Sequence, residues 1–249
     1  MSWGRSKMRK IHLAAAVMAA AFVTAAASAD ILVVRSSGPS AKNFPPGKSL
    51  AENARITLQA NDKLVVLDGR GTREIKGPGS FTPTGPTQTA SRAGGLSGIG
   101  TPQRRARIGA VRSVGLNQPK NPNIWRIDVA KSSNVCLADP ANVTLWRADA
   151  SQPVTLTVTG TGGASRQISW PAGESTLAWP EDLAVRDGAD YRLSWGSADR
   201  TDLKFKTLPS KPIGLEDMAS SLIRNDCQAQ LDLLIETVKL PEDGAGTTG

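Results

Sequence analysis

The chain has 249 residues with a formal net charge of +8, two cysteines and a single histidine. Four basic residues and no acidic ones fall in the first 29 positions. The rest of the chain has 26 basic and 22 acidic side chains, so its net charge is +4. The single histidine, His12, lies in the same 29 residues. Histidine is the usual general base and the commonest metal ligand. If these residues are removed, the remaining chain has no histidine, which excludes Ser-His-Asp catalysis, Cys-His catalysis and zinc sites that use histidine. No cofactor is expected.

Residues 1–29 have the pattern of a secretory signal peptide. A basic stretch precedes an apolar, alanine-rich run over residues 13–26, and Ala27-Ser28-Ala29 supplies a cleavage site. That run is shorter than the roughly 20 apolar residues of a bilayer span, and no later stretch is apolar enough to cross. We therefore expect a soluble periplasmic protein without a transmembrane segment after cleavage. Retention of the leader as an anchor is the alternative.

Residues 30–83 contain short runs of β-forming residues separated by turn residues. The runs cover residues 31–34, 55–58, 63–67 and 72–75. Turn signals follow at Asn61-Asp62, Asp68-Gly69 and Gly77-Pro78-Gly79. Strands this close together connect only by tight turns, so the pattern predicts a small antiparallel β unit.

Residues 84–122 are rich in Gly, Pro, Ser and Thr, and every charged residue among them is basic. Such a segment buries too little apolar surface to offset its chain entropy, which predicts a flexible linker. Arg104, Arg105 and Arg107 are the candidate contact for an anionic partner, because arginines attract phosphates and carboxylates. A solvated spacer is the alternative. Interleaved aromatic residues are missing, so nucleic-acid binding is not predicted.

Residues 123–209 show repeated short alternating segments and hold all five tryptophans after the leader. The candidate strands cover residues 124–129, 134–138, 143–148, 154–159, 166–170, 175–179, 190–195 and 202–207. Strands at this spacing predict a β-sandwich, with the tryptophans anchoring its core. An exposed tryptophan platform for carbohydrate is the alternative interpretation.

The pattern from Val185 through Gly188 to Tyr191 precedes one of these strands. It resembles the tyrosine corner of immunoglobulin and fibronectin type III domains, in which the hydroxyl bonds to backbone just upstream. The resemblance implies an architecture for about 85 residues and no particular activity.

Residues 210–240 have apolar residues at three- and four-residue intervals, which predicts a helical cap with a break near Asn225-Asp226. A disordered tail is expected over residues 241–249. Cys136 lies in a predicted strand and Cys227 on the apolar helical stripe. With two cysteines in an oxidising compartment, we expect a disulfide that joins the helical segment to the sandwich.

The segment from Gln59 to Gly69 contains an Asn-Asp turn and an apolar strand ending in Asp-Gly, and Gly77-Pro78-Gly79-Ser80 follows. This pattern resembles FecR-type periplasmic domains over about residues 31–81. The resemblance implies a non-catalytic domain of envelope signalling or surface-associated proteins, and it identifies no ligand-binding residue.

The sequence therefore predicts a mainly β protein with a small antiparallel β unit, an immunoglobulin- or fibronectin-like sandwich and a C-terminal helical segment. We expect a non-enzymatic envelope protein that binds or scaffolds, with an envelope protein or anionic envelope polymer as partner and no metal. A glycan hydrolase that uses two carboxylates is the alternative, because the separation of such a pair is spatial.

Overall fold

The computed structural model describes Met1 and residues 31–84, 120–196 and 199–241. Most of the predicted signal peptide, the tail after Pro241 and the candidate contact residues Arg104, Arg105 and Arg107 lie outside the described residues.

The N-terminal unit is antiparallel, as the closely spaced turns predict. Its strands are β1 (Ile31–Ser37), β2 (Ser49–Leu50), β3 (Ile56–Leu58), β4 (Lys63–Asp68), β5 (Gly71–Lys76) and β6 (Gly79–Phe81). One sheet has the order β2-β1-β4-β5, and β3 pairs with β6. Asp68 closes the β4–β5 turn by accepting hydrogen bonds from the backbone N–H groups of Arg70 (2.8 Å) and Gly71 (3.2 Å).

Both faces of the central strands are buried, which explains why β1 and β4 are almost continuously apolar. Ile31 and Val33 of β1 belong to the core of the N-terminal unit, while Leu32 and Val34 belong to a second core that includes both C-terminal helices. The N-terminal unit therefore packs against residues far away in the sequence.

The sandwich consists of a five-stranded and a three-stranded sheet, confirming the predicted fold class. Its strands are β7 (Arg126–Asp128), β8 (Ser133–Leu137), β9 (Thr144–Trp146), β10 (Val154–Gly160), β11 (Ser165–Trp170), β12 (Thr176–Ala178), β13 (Asp190–Trp195) and β14 (Asp199–Thr207). The sheet orders are β11-β10-β13-β14-β8 and β12-β9-β7. The pairs β8–β14 and β7–β9 are parallel, and the other pairs are antiparallel.

Aromatic side chains fill the sandwich core. The ring of Trp179 lies 5.0 Å from those of Tyr191 and Phe205, measured between centroids. The Tyr191 hydroxyl donates a hydrogen bond to the Ala184 carbonyl (2.6 Å) and accepts one from the Arg186 N–H (3.2 Å). These bonds tie the start of β13 to the preceding loop, which is the geometry expected of a tyrosine corner.

The two helices, α1 (Gly214–Arg224) and α2 (Gln228–Thr237), lie between the two β units. Asp226 adopts a left-handed backbone with φ 55° at the break that separates them. Buried residues of both helices share the second core with Leu67 of β4 and with Cys136 and Leu208 of the sandwich side. The helical cap therefore covers the N-terminal unit as well as the sandwich.

The chain after α2 reaches the N-terminal sheet at Thr72 of β5. The Thr72 N–H donates to the Val238 carbonyl, the Leu240 N–H donates to the Thr72 carbonyl, and both distances are 2.9 Å. Gly71 permits this approach, because a Cβ there would lie 2.3 Å from the Val238 carbonyl oxygen. No helix among residues 31–84, 120–196 and 199–241 is long and apolar enough to cross a membrane.

Candidate functional site

A disulfide between Cys136 and Cys227 joins β8 to the start of α2, with the two Cα atoms 5.8 Å apart. Both cysteines are fully buried. Gln230, one turn further along α2, accepts a hydrogen bond from the Cys136 N–H (2.7 Å) and donates to the Cys136 carbonyl (2.9 Å). Its amide thus satisfies the backbone of an edge strand, as a neighbouring strand would.

A cleft opens beside this connection, between α2 and the sandwich edge formed by β7 and β8, and we call it the junction cleft. Its volume is about 370 Å³. The larger apolar residues of its lining are Ile124, Ile127, Val135, Trp146 and Leu233. The charged part is Lys120, Arg126, Asp128, Lys131, Asp232 and Glu236. A concave, partly apolar site with a few polar groups is typical of ligand-binding pockets.

Each of the three acidic residues in the junction cleft has a basic partner. Lys120 Nζ lies 2.9 Å from Glu236 Oε2, Lys131 Nζ lies 3.7 Å from Asp128 Oδ2, and Arg35 of β1 pairs with Asp232. The hydrogen bond from Lys120 holds the pKa of the Glu236 carboxyl below its ordinary value. All three acidic side chains are therefore occupied in ion pairs. The pairs Arg35–Asp232 and Lys120–Glu236 join distant segments to α2, whereas Lys131–Asp128 is local.

Arg126 is the exception among the charged side chains of the cleft. Within the described part of the chain its guanidinium makes no hydrogen bond and no ion pair. Arg147 shows the contrast: its guanidinium is buried, donates to the carbonyls of Glu174, Gln152 and Pro171, and stacks 4.8 Å from the Trp170 ring. Arg147 is thus a structural clamp, while Arg126 keeps its donors available.

In the described part of the chain, every carboxyl group with a displaced pKa has it lowered rather than raised: Asp62, Asp68, Asp139, Asp149 and Glu236. Hydrogen bonds from Asn142 and from the Ala141 N–H lower the pKa of Asp139, for example. A general acid for glycan hydrolysis needs a raised pKa. These carboxylates are instead stabilised as ions by turns and lysine or arginine partners.

The tryptophans are placed as core anchors. Trp146, Trp170 and Trp179 are 4%, 1% and 7% exposed, and Trp125 and Trp195 are half-buried. A carbohydrate platform needs at least two indoles on one solvent face, and no fully exposed indole occurs among residues 120–196 and 199–241. No group of three or more potential metal-ligating side chains occurs in the described ranges either.

Sequence reasoning identified the cysteines and Tyr191 but missed Arg126 and Gln230. A signal for Gln230 was present, because a polar residue three positions after Cys227 falls on the apolar helical stripe. Arg126 carries no such signal, since its free guanidinium depends on which distant residues line the cleft.

No protein-family model matches the chain, and no curated protein matches its sequence.

Proposed function

We propose that this protein is an exported, non-enzymatic component of the bacterial cell envelope that works by binding or scaffolding in the periplasm. The signal-peptide pattern and the disulfide support export, because disulfides form and persist in oxidising compartments. In this proposal the N-terminal unit is FecR-like and the sandwich is of the immunoglobulin or fibronectin type III kind.

The observation that carries the proposal is the junction cleft, where the segment after the linker, the sandwich and α2 meet. The Lys120–Glu236 ion pair joins the segment after the linker to α2, while Arg126 and Leu233 stay partly exposed in the cleft. A site of this kind offers contacts without a group prepared for proton transfer or nucleophilic attack. This arrangement favours a binding role over turnover.

The expected partners are an envelope protein or an anionic envelope polymer. Two surfaces can provide the contact: the folded modules, and the basic cluster of Arg104, Arg105 and Arg107. Charge contacts between exposed groups weaken strongly with salt, because the Debye length falls to about 3 Å at 1 M. Salt dependence therefore separates the two surfaces.

Affinity capture from a periplasmic extract tests this proposal. The immobilised full chain is compared with a variant in which Arg104, Arg105 and Arg107 are serine, in low salt and in 1 M salt. A partner retained in both salts by both proteins would bind the folded modules. A partner lost in high salt and by the variant would bind the basic cluster.

The same purified protein is incubated with envelope glycans, and product is followed over time. Steady consumption of a glycan that stops when one carboxylate is neutralised, with the fold intact, would contradict the proposal. It would establish the hydrolase alternative in its place.

A further inference from the structure

The apolar lining of the junction cleft combines buried residues of the sandwich with one leucine that lies outside the packed core. Ile127, Val135 and Trp146 are buried beneath it. Leu233 of α2 is only half-buried and belongs to none of the three core clusters, although it lines the cleft. Covering such apolar surface stabilises a complex in proportion to the area removed from water.

The charges of the cleft point to a ligand with one negative charge. Asp128, Asp232 and Glu236 are balanced by Lys131, Arg35 and Lys120. Within residues 31–84, 120–196 and 199–241, this leaves the Arg126 guanidinium as the available cation of the cleft. A guanidinium binds a carboxylate through two parallel hydrogen bonds. One guanidinium matches one carboxylate, and the other basic side chains of the lining, Lys120 and Lys131, are already engaged in ion pairs.

We propose that the junction cleft binds a small monocarboxylate with an apolar body, its carboxylate on Arg126 and its body beside Leu233 and above Trp146. The volume of about 370 Å³ corresponds to roughly a dozen waters at ~30 Å³ each, which suits a medium-length alkyl carboxylate. The inference rests on the proposed binding function and names the ligand class for its site.

Titration calorimetry with decanoate tests the proposal on the full chain. Decanol has the same chain without the charge, and acetate has the charge without the chain. We expect decanoate to bind best and acetate not to bind. Bromodecanoate is a second probe, which should quench part of the tryptophan fluorescence through Trp146.

Two substitutions address the two halves of the ligand. Arg126→Gln should weaken decanoate binding by about tenfold or more, the range of a charge-assisted hydrogen bond. Leu233→Gln should weaken both decanoate and decanol, and it leaves the three core clusters unchanged. Arg55→Gln is the matched control, because Arg55 is exposed and lies outside the cleft, so binding should not change.

Urea unfolding of each variant shows that the fold is kept. Absence of decanoate binding to the unmodified protein, or equal binding to the Arg126→Gln variant, would overturn the inference. Partner capture without decanoate binding would overturn the inference and leave the proposed function in place. Glycan turnover would overturn the proposed function, whatever the titration gives.

Discussion

Reduction of the Cys136–Cys227 disulfide should lower the stability of the protein substantially, although it replaces no side chain. The bond closes a loop with a sequence separation of 91 residues. In the chain-entropy description such a loop restricts the unfolded chain by about 4.6 kcal/mol at 25 °C. For a chain of this size that corresponds to a melting temperature lower by roughly 9 to 18 °C.

The assay compares the free energy of unfolding in urea for the oxidised and the reduced protein. Reduction removes the cross-link and keeps both sulfur atoms, so the difference isolates the covalent bond from the packing of Cys136 and Cys227. The double variant Cys136→Ala/Cys227→Ala is the control, and its stability should not respond to reductant.

An unchanged unfolding midpoint after complete reduction of the protein would refute this reasoning. It would mean that the contacts of the second core alone hold β8 to α2. A response of the double variant to reductant would refute it too, since no other cysteine exists in the chain.

Two further predictions concern buried polar groups. Gln230→Ala leaves the Cys136 N–H and carbonyl without their partner, so we expect a loss of about 2 to 4 kcal/mol in urea unfolding; an equal loss for exposed Gln228→Ala would contradict this. Burial opposes ionisation of Asp62, but hydrogen bonds from Ser40 and Gln59 outweigh it and lower the pKa of the carboxyl. The stabilisation is present above the unfolded pKa of about 3.9 and is lost as pH falls through the lower folded pKa. The free energy of unfolding of the Asp62→Asn variant should therefore depend less on pH in this range than that of the parent protein. Parallel plots of unfolding free energy against pH for variant and parent would disprove this.

The local elements could be predicted because they depend on neighbouring residues. Alternation in Val154-Thr155-Leu156-Thr157-Val158 indicates a strand with one buried face, and β10 runs from Val154 to Gly160. The three- and four-residue spacing of apolar residues around Leu222 and Leu231 predicts helices. Leu222 is buried on α1 and Leu231 on α2. The break between them lies at the predicted Asn225-Asp226 pair.

The packing of the N-terminal unit could not be predicted in the same way. The run from Ile31 to Val34 indicates a strand but does not say what covers its second face. Leu32 and Val34 contact the helices, which lie about 180 residues later in the sequence. A short apolar run has the same appearance whether it is buried on one face or on two.

The order of apolar, turn-forming and charged residues by itself determined the leader pattern, the strands, the helices and the pairing of the only two cysteines. Tertiary structure decided that α1 and α2 lie between two β units, that Gln230 completes the edge of β8 and that Arg126 has no acidic partner among the residues that the structure describes. Backbone conformation responds to adjacent side chains, whereas the burial and the partners of a side chain depend on segments that meet only in the folded protein.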